Sequence, residues 1–214
     1  AYGSLWRDWE DTRIIDANEW NAIYKPRGYK VASVSTTSEE GGVDHSRMIV
    51  TRKIDQLQNV VDLLKKSPDS RRIVLSAWNP GRLEDAALPP CHTLSQYFSR
   101  LKTTNELTDD FLKRSLLNDY HRSVFDTDMD KIESMHIFAK KHDIPIRYLS
   151  SMLYARSQDY TVGTTFNIPQ YVLLLNVIAN IVGMDVEEFT WVGGDTHIYS
   201  NHLELVKEQM SRSI

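Results

Sequence analysis

Ile146-Arg147-Tyr148-Leu149-Ser150-Ser151-Met152-Leu153 reads as a strand, and Tyr171-Val172-Leu173-Leu174-Leu175-Asn176-Val177-Ile178-Ala179-Asn180-Ile181-Val182 as a nearly all-apolar, buried helix. A helix apolar all round needs cover on several sides, and strands flank this one in sequence. Thr190-Trp191-Val192 is a short strand before Gly193-Gly194, and Ile73-Val74-Leu75-Ser76-Ala77-Trp78 a buried strand candidate after Arg71-Arg72. Tyr29 to Ser35 alternates as a strand does, and Ser38-Glu39-Glu40-Gly41-Gly42 reads as a loop. From Ile54 the spacing Ile54, Leu57, Val60, Val61, Leu64 is helical and stops at Ser67-Pro68-Asp69. Residues 103–143 read as an inserted helical pair, with Thr108 as N-cap of the first helix and Asp128 of the second, which ends in Lys140-Lys141-His142. Together these predict an α+β fold, a mixed sheet packed under a long buried helix.

Cys91, in Ala87-Leu88-Pro89-Pro90-Cys91-His92, is the chain's one cysteine and follows strand-like residues. It has no intrachain partner, so it is a free thiol, a ligand or a nucleophile. The two prolines stiffen its approach. A lone cysteine is ordinarily a small buried hydrophobe, and its neighbours decide against that here. Arg156-Ser157 could grip a phosphate through charge-assisted hydrogen bonds. Arg71-Arg72 could do the same or be two solvated arginines. Asn167 could read the amide edge of a pyrimidine or cap the helix after it. His197 and Tyr199, two apart, share a face on a strand and could bind a sugar hydroxyl.

With 214 residues, 41% hydrophobic, 25% charged and a net charge of −4, the chain suits one sizeable soluble domain and gives no general reason to expect nucleic acid. No uninterrupted apolar stretch reaches the roughly 18 residues that span a bilayer. Cysteine usage and the absence of a signal-peptide pattern point to a reducing, cytoplasmic setting. No metal-ligand spacing, phosphate loop or GxSxG elbow is present.

These fragments together resemble the thymidylate synthase family. The matching blocks are Tyr2-Gly3 with Trp6-Arg7, Pro68 to Asn79, Ala87 to His92, Leu153 to Asp159, Gly163 with Phe166-Asn167-Ile168, and Gly193 to His202. They occur in family order over about half the chain. The resemblance implies one domain over 1–214, with insertions at about 10–53 and 100–145 and with the family's N- and C-terminal portions absent. It implies one-carbon transfer from 5,10-methylenetetrahydrofolate to C5 of dUMP, through an adduct of Cys91 at C6, giving dTMP and dihydrofolate. Two alternatives stand: a phage-type hydroxymethylase, in which water completes the reaction, and a non-catalytic nucleotide-binding relative.

By the same resemblance the catalytic residues are Cys91, Tyr2, Asp159, Asn167 and Arg156. Arg71, Arg72, Arg156, Ser157, Gln158, Asp159, Asn167, His197 and Tyr199 would hold dUMP, with Arg71 and Arg72 donated by the other subunit of a homodimer. Asp159, Gly163, Phe166 and Leu88 would line the folate pocket, and no metal is implied. Gln158 occupies a position that varies in the family, and its identity carries no further expectation. Asn167 points to uracil, because the related cytosine enzymes carry an acid there. The chain opens on Ala1 in mid-motif, which suggests processing or truncation.

Overall fold

Alternating side chains in the first quarter of the chain build strands that can bury only one face. In a computed structural model, residues 2–38, 44–84, 86–124 and 130–212 are described. Their contacts gather into two compact units, 1–58 and 59–214.

The first unit carries a short helix α1 (Tyr2–Arg7) and an antiparallel sheet of β1 (Trp9–Asp16), β2 (Lys30–Ser38) and β3 (Asp44–Ile54), in the order β1-β3-β2. Its small core is Ile15, Tyr29 and Val50, with Trp20, Tyr24 and Met48 packed against it. The strand expected at 29–35 is β2, and most of the expected loop at 38–42 lies outside the described residues.

The helix expected from Ile54 is α2 (Gln56–Lys66), which buries Val60, Val61 and Leu64. Beyond it, β4 (Val74–Ser76), β5 (His92–Leu101), β6 (Arg147–Asp159) and β7 (Asp185–His197) form a four-stranded sheet in that order. The first two pairings are antiparallel and β6·β7 is parallel, so a crossover must join β6 to β7. That crossover is α6 (Gly163–Val182), which packs on both strands. Leu149, Leu153 and Ala155 of β6 and Tyr171, Leu175, Ile178 and Ala179 of α6 are buried.

Several sequence expectations change here. The strands about 146–153 and 190–192 extend to Asp159 and His197, because the parallel ladder runs on from Tyr148↔Asp185 to Asp159↔His197. The glycines Gly193 and Gly194 therefore sit inside a strand. The helix begins at Gly163 and contains Pro169, so Asn167 is in its first turns rather than at its cap. It is apolar all round but buried on one side only: Phe166, Leu173, Val177 and Ile181 are exposed. At 20 residues it is long and apolar enough to cross a bilayer by length and composition, which a count of uninterrupted apolar residues misses because Asn176 and Asn180 interrupt it. Its use is as the crossover on the sheet.

The expected helical pair is three helices, α3 (Thr104–Lys113), α4 (Leu117–Val124) and α5 (Lys131–Lys141), around Leu107, Phe111, Tyr120, Met135, Phe138, Ala139 and Ile144. Thr103, not Thr108, caps α3, in a reciprocal box with Glu106. Thr108 lies inside the helix, its hydroxyl donating to the Thr104 carbonyl at 2.7 Å. Asp128 lies outside the described residues, and Asp130 caps α5 by accepting from the Ile132 N–H. A final helix, α7 (Leu203–Ser211), closes the second unit.

Candidate active site

Two adjacent parallel strands end together, so their C-terminal residues and the N-terminus of the helix between them form one edge. The register places Ser157 opposite Asp195, Gln158 opposite Thr196 and Asp159 opposite His197. The first turns of α6 bring Gly163 and Asn167 to the same edge. Cys91 reaches it from the other side. It precedes β5 rather than following a strand, and its carbonyl accepts the Arg156 N–H at 2.8 Å.

Arg156 fixes the approach to Cys91. Its Nε donates to the Pro90 carbonyl at 2.9 Å and its Nη2 to the Pro89 carbonyl at 2.8 Å. Proline has no N–H, so Pro89 and Pro90 enter a ladder only as acceptors. One edge of the guanidinium uses both. Its Nη1 has no hydrogen-bond partner among the described residues, which leaves a charged donor for an anion beside the thiol. The guanidinium also lies over the Trp78 ring, 5.5 Å from its centroid.

The Asp159 carboxylate is held by its own turn: Oδ1 accepts from the Thr161 N–H at 3.0 Å and the Val162 N–H at 3.3 Å. The ring of His197 meets that of Tyr199 edge-on at 4.9 Å, and Tyr199 meets His202 at 5.8 Å. The strand ends at His197, so contact between the rings, not a shared strand face, brings the pair together. In the sequence His202 ends a matching block and, with His197, offers a histidine pair that no metal-ligand spacing supports. Its Nδ1 is buried 3.8 Å from Asp159 Oδ1, beyond hydrogen-bond distance, and makes no hydrogen bond among the described residues.

His92, beside the thiol, turns inward and meets Tyr171 edge-on at 5.3 Å. Burial pushes its pKa down and favours the neutral imidazole. Among the described residues no group of three or more His, Cys, Asp or Glu could hold a metal. Leu88 and Phe166 are exposed.

Gly194 on this edge is there for space. A Cβ at Gly194 would lie 2.8 Å from the Arg156 carbonyl oxygen and 3.1 Å from the Tyr154 hydroxyl. Backbone cannot yield as a flexible side chain does. Gly194→Ala is therefore expected to cost about 1–3 kcal/mol of stability and to weaken nucleotide binding, read by thermal melts and by dUMP titration.

Arg71 and Arg72 are not brought to this edge. They are exposed turn residues, rather than the start of a strand, at the opposite end of the sheet. The turn is pinned there: Arg147 donates to both Asp69 oxygens at 2.8 and 3.0 Å, and the Ser99 hydroxyl to the Pro68 carbonyl at 2.9 Å. Val74 pairs with Gln96 and Gln96 with Met152, which sets Arg72 about six residues along the sheet from Arg156, ~20 Å of strand. Tyr2 belongs to the first unit, and its side chain is outside the described ones.

Against known families, the model described as thymidylate synthase matches residues 1–214.

Proposed function

The chain belongs to the thymidylate synthase family, and we propose that it converts dUMP to dTMP, with Cys91 as nucleophile. Family membership gives one-carbon transfer to dUMP with methylenetetrahydrofolate as co-substrate. What supports Cys91 as the nucleophile is the edge itself, where Arg156 holds the thiol's loop and Asp159 and His197 stand opposite each other at the strand ends, with Asn167 in the first turns of the helix between those strands.

In this reading the Cys91 thiolate adds to C6 of the uracil ring. Addition makes C5 nucleophilic and puts negative charge on O4, which the Asn167 amide can stabilise. Arg156 Nη1 and the Ser157 hydroxyl hold the 5′-phosphate, and His197 and Tyr199 hold the ribose hydroxyl. Asp159, ordered by the Thr161 and Val162 amides, accepts from the N–H groups of the pterin-like ring, with Gly163, Phe166 and Leu88 beside it. The folate supplies the one-carbon unit and then, as a hydride from its reduced ring, the two electrons that turn the C5 methylene into a methyl and leave dihydrofolate. By the family resemblance Tyr2 is the residue for removal of the C5 proton, and loss of the Cys91 thiolate from C6 frees the product. Carboxylate, amide and apolar surface suit that co-substrate.

Arg71 and Arg72 act on the partner's nucleotide. About 20 Å of strand lies between their level in the sheet and their own thiol, so a second copy is the route by which they reach a phosphate. The half-exposed Val74, Phe98, Tyr154 and Val192 on one face of the sheet support a homodimer. A reducing, cytoplasmic setting fits a working thiol.

The test is incubation with dUMP and methylenetetrahydrofolate, followed by mass analysis of the nucleotide. The expected products are dTMP and dihydrofolate. A 5-hydroxymethyl nucleotide with tetrahydrofolate would identify the water-completed reaction instead, and bound dUMP without turnover a non-catalytic relative.

A further inference from the structure

Gln158 is the one fully buried residue of the Arg156–Asp159 run. It is only 2% exposed, and its amide has two partners. Its Oε1 accepts from Asn167 Nδ2 at 3.3 Å, and its Nε2 donates to the Asp159 backbone carbonyl at 3.3 Å. Space for the amide is made by Gly163: a Cβ there would lie 2.7 Å from Gln158 Nε2 and 3.6 Å from Asn167 Nδ2. The three groups form a packed chain from a backbone carbonyl, through Gln158, to the side chain that faces the base.

Resting on the nucleotide reading above, we propose that Gln158 is a specificity-determining positioning residue: it fixes which end of the Asn167 amide meets the pyrimidine, and so selects uracil over cytosine. The logic is donor against acceptor. Uracil presents a donor at N3 and an acceptor at O4, whereas cytosine presents an acceptor at N3 and a donor at N4. An asparagine amide matches either base, depending on which way it is turned. Here Nδ2 faces the Gln158 oxygen, and that leaves Oδ1 for the uracil N3–H and the second Nδ2 hydrogen for O4.

To serve cytosine the Asn167 amide must reverse, which sets its oxygen against Gln158 Oε1. Gln158 can follow only by turning its own oxygen onto the Asp159 carbonyl. A backbone carbonyl cannot exchange its acceptor for a donor, so the chain of orientation ends there. The cost is a lost hydrogen bond and two buried oxygens in contact.

The experiment measures dissociation constants for dUMP and for dCMP on the same protein, with thermal melts to establish folding. Gln158→Met keeps the volume and removes both hydrogen bonds. It should lower the preference for dUMP over dCMP by about tenfold, the equivalent of roughly one buried hydrogen bond. Gln158→Glu keeps an acceptor for Asn167 in either protonation state and should retain the preference. Should the methionine variant not fold, Gly163→Ala displaces the same amide from outside and should lower the same ratio. A residue that only supports packing would weaken both nucleotides alike, so an unchanged ratio in a folded Gln158→Met protein overturns the inference. Wild-type protein that binds neither nucleotide overturns the nucleotide reading instead.

Discussion

Cys91→Ala loses turnover by at least about four orders of magnitude, the scale on which removal of a nucleophile falls, while dUMP still binds. The split follows from where the contacts come from. The residues proposed to hold the phosphate, ring and ribose are all other than 91, on the end of β6, the first turns of α6 and around His197. The Cys91 backbone stays fixed in the variant too, because Arg156 holds it through the main chain at 2.8 Å and holds Pro89 and Pro90 through the guanidinium. Only the attacking atom is lost. Cys91→Ser is expected to fall nearly as far, since a serine hydroxyl is far less readily ionised than a thiol and a far weaker nucleophile. The measurements are kcat in the coupled assay, dUMP titration, and denaturing mass spectrometry for a covalent adduct. An alanine variant that turns over at a tenth of the wild-type rate would end the covalent mechanism.

The fold and the candidate site were legible to different degrees. The all-apolar run at 171–182 and the strand before it led to the sheet under a helix, and the blocks from Leu153 to Asp159 and from Gly193 led to the site edge. Those features are periodic or local, and they survive reading one residue at a time. The register was not. That Asp159 lies opposite His197 depends on two strands separated by the whole of α6, and the glycines that looked like the end of a strand sit inside one, where a Cβ on Gly194 would lie 2.8 Å from the Arg156 carbonyl oxygen. Gln158 was invisible for a related reason. Its position carries no family signature, and its role comes from Asn167, nine residues on, returning to it over the turn at Asp159. The caps failed more simply. Thr103 has Glu106 three residues on, the spacing of a reciprocal capping box, whereas Thr108 has Phe111 there, so the signal was in the sequence and the acidic pair after Thr108 drew the reading away from it.

Lys102→Met is expected to destabilise the second unit by about 3 kcal/mol, the scale for removing one partner of a buried ion pair, and to lower its melting midpoint by roughly 10 °C. The Lys102 side chain is fully buried at the end of β5, where its ammonium meets Asp110 of α3 at 2.6 Å and also Asp185 at the start of β7. It lies over the Tyr148 ring, 4.7 Å from the centroid. One cation thus ties the three-helix cluster to both edges of a parallel strand pair. Burial pushes the Lys102 pKa down, but the hydrogen bonds and charges of Asp110 and Asp185 outweigh it, and the net shift is upward from 10.5. A raised cationic pKa contributes stability that is fully present below the unfolded value and is lost as pH rises through the folded one. Wild-type protein should therefore lose stability above about pH 10.5, whereas the methionine variant, already without the cation, should lack that component. Removal of the cation also leaves two carboxylates facing each other. Lys102→Met combined with Asp110→Asn should recover part of the loss, an interaction energy that a double-mutant cycle in urea measures directly. If the single variant melts within 2 °C of wild type, Lys102 is a passenger, and the helical cluster is held to the sheet by its apolar contacts alone.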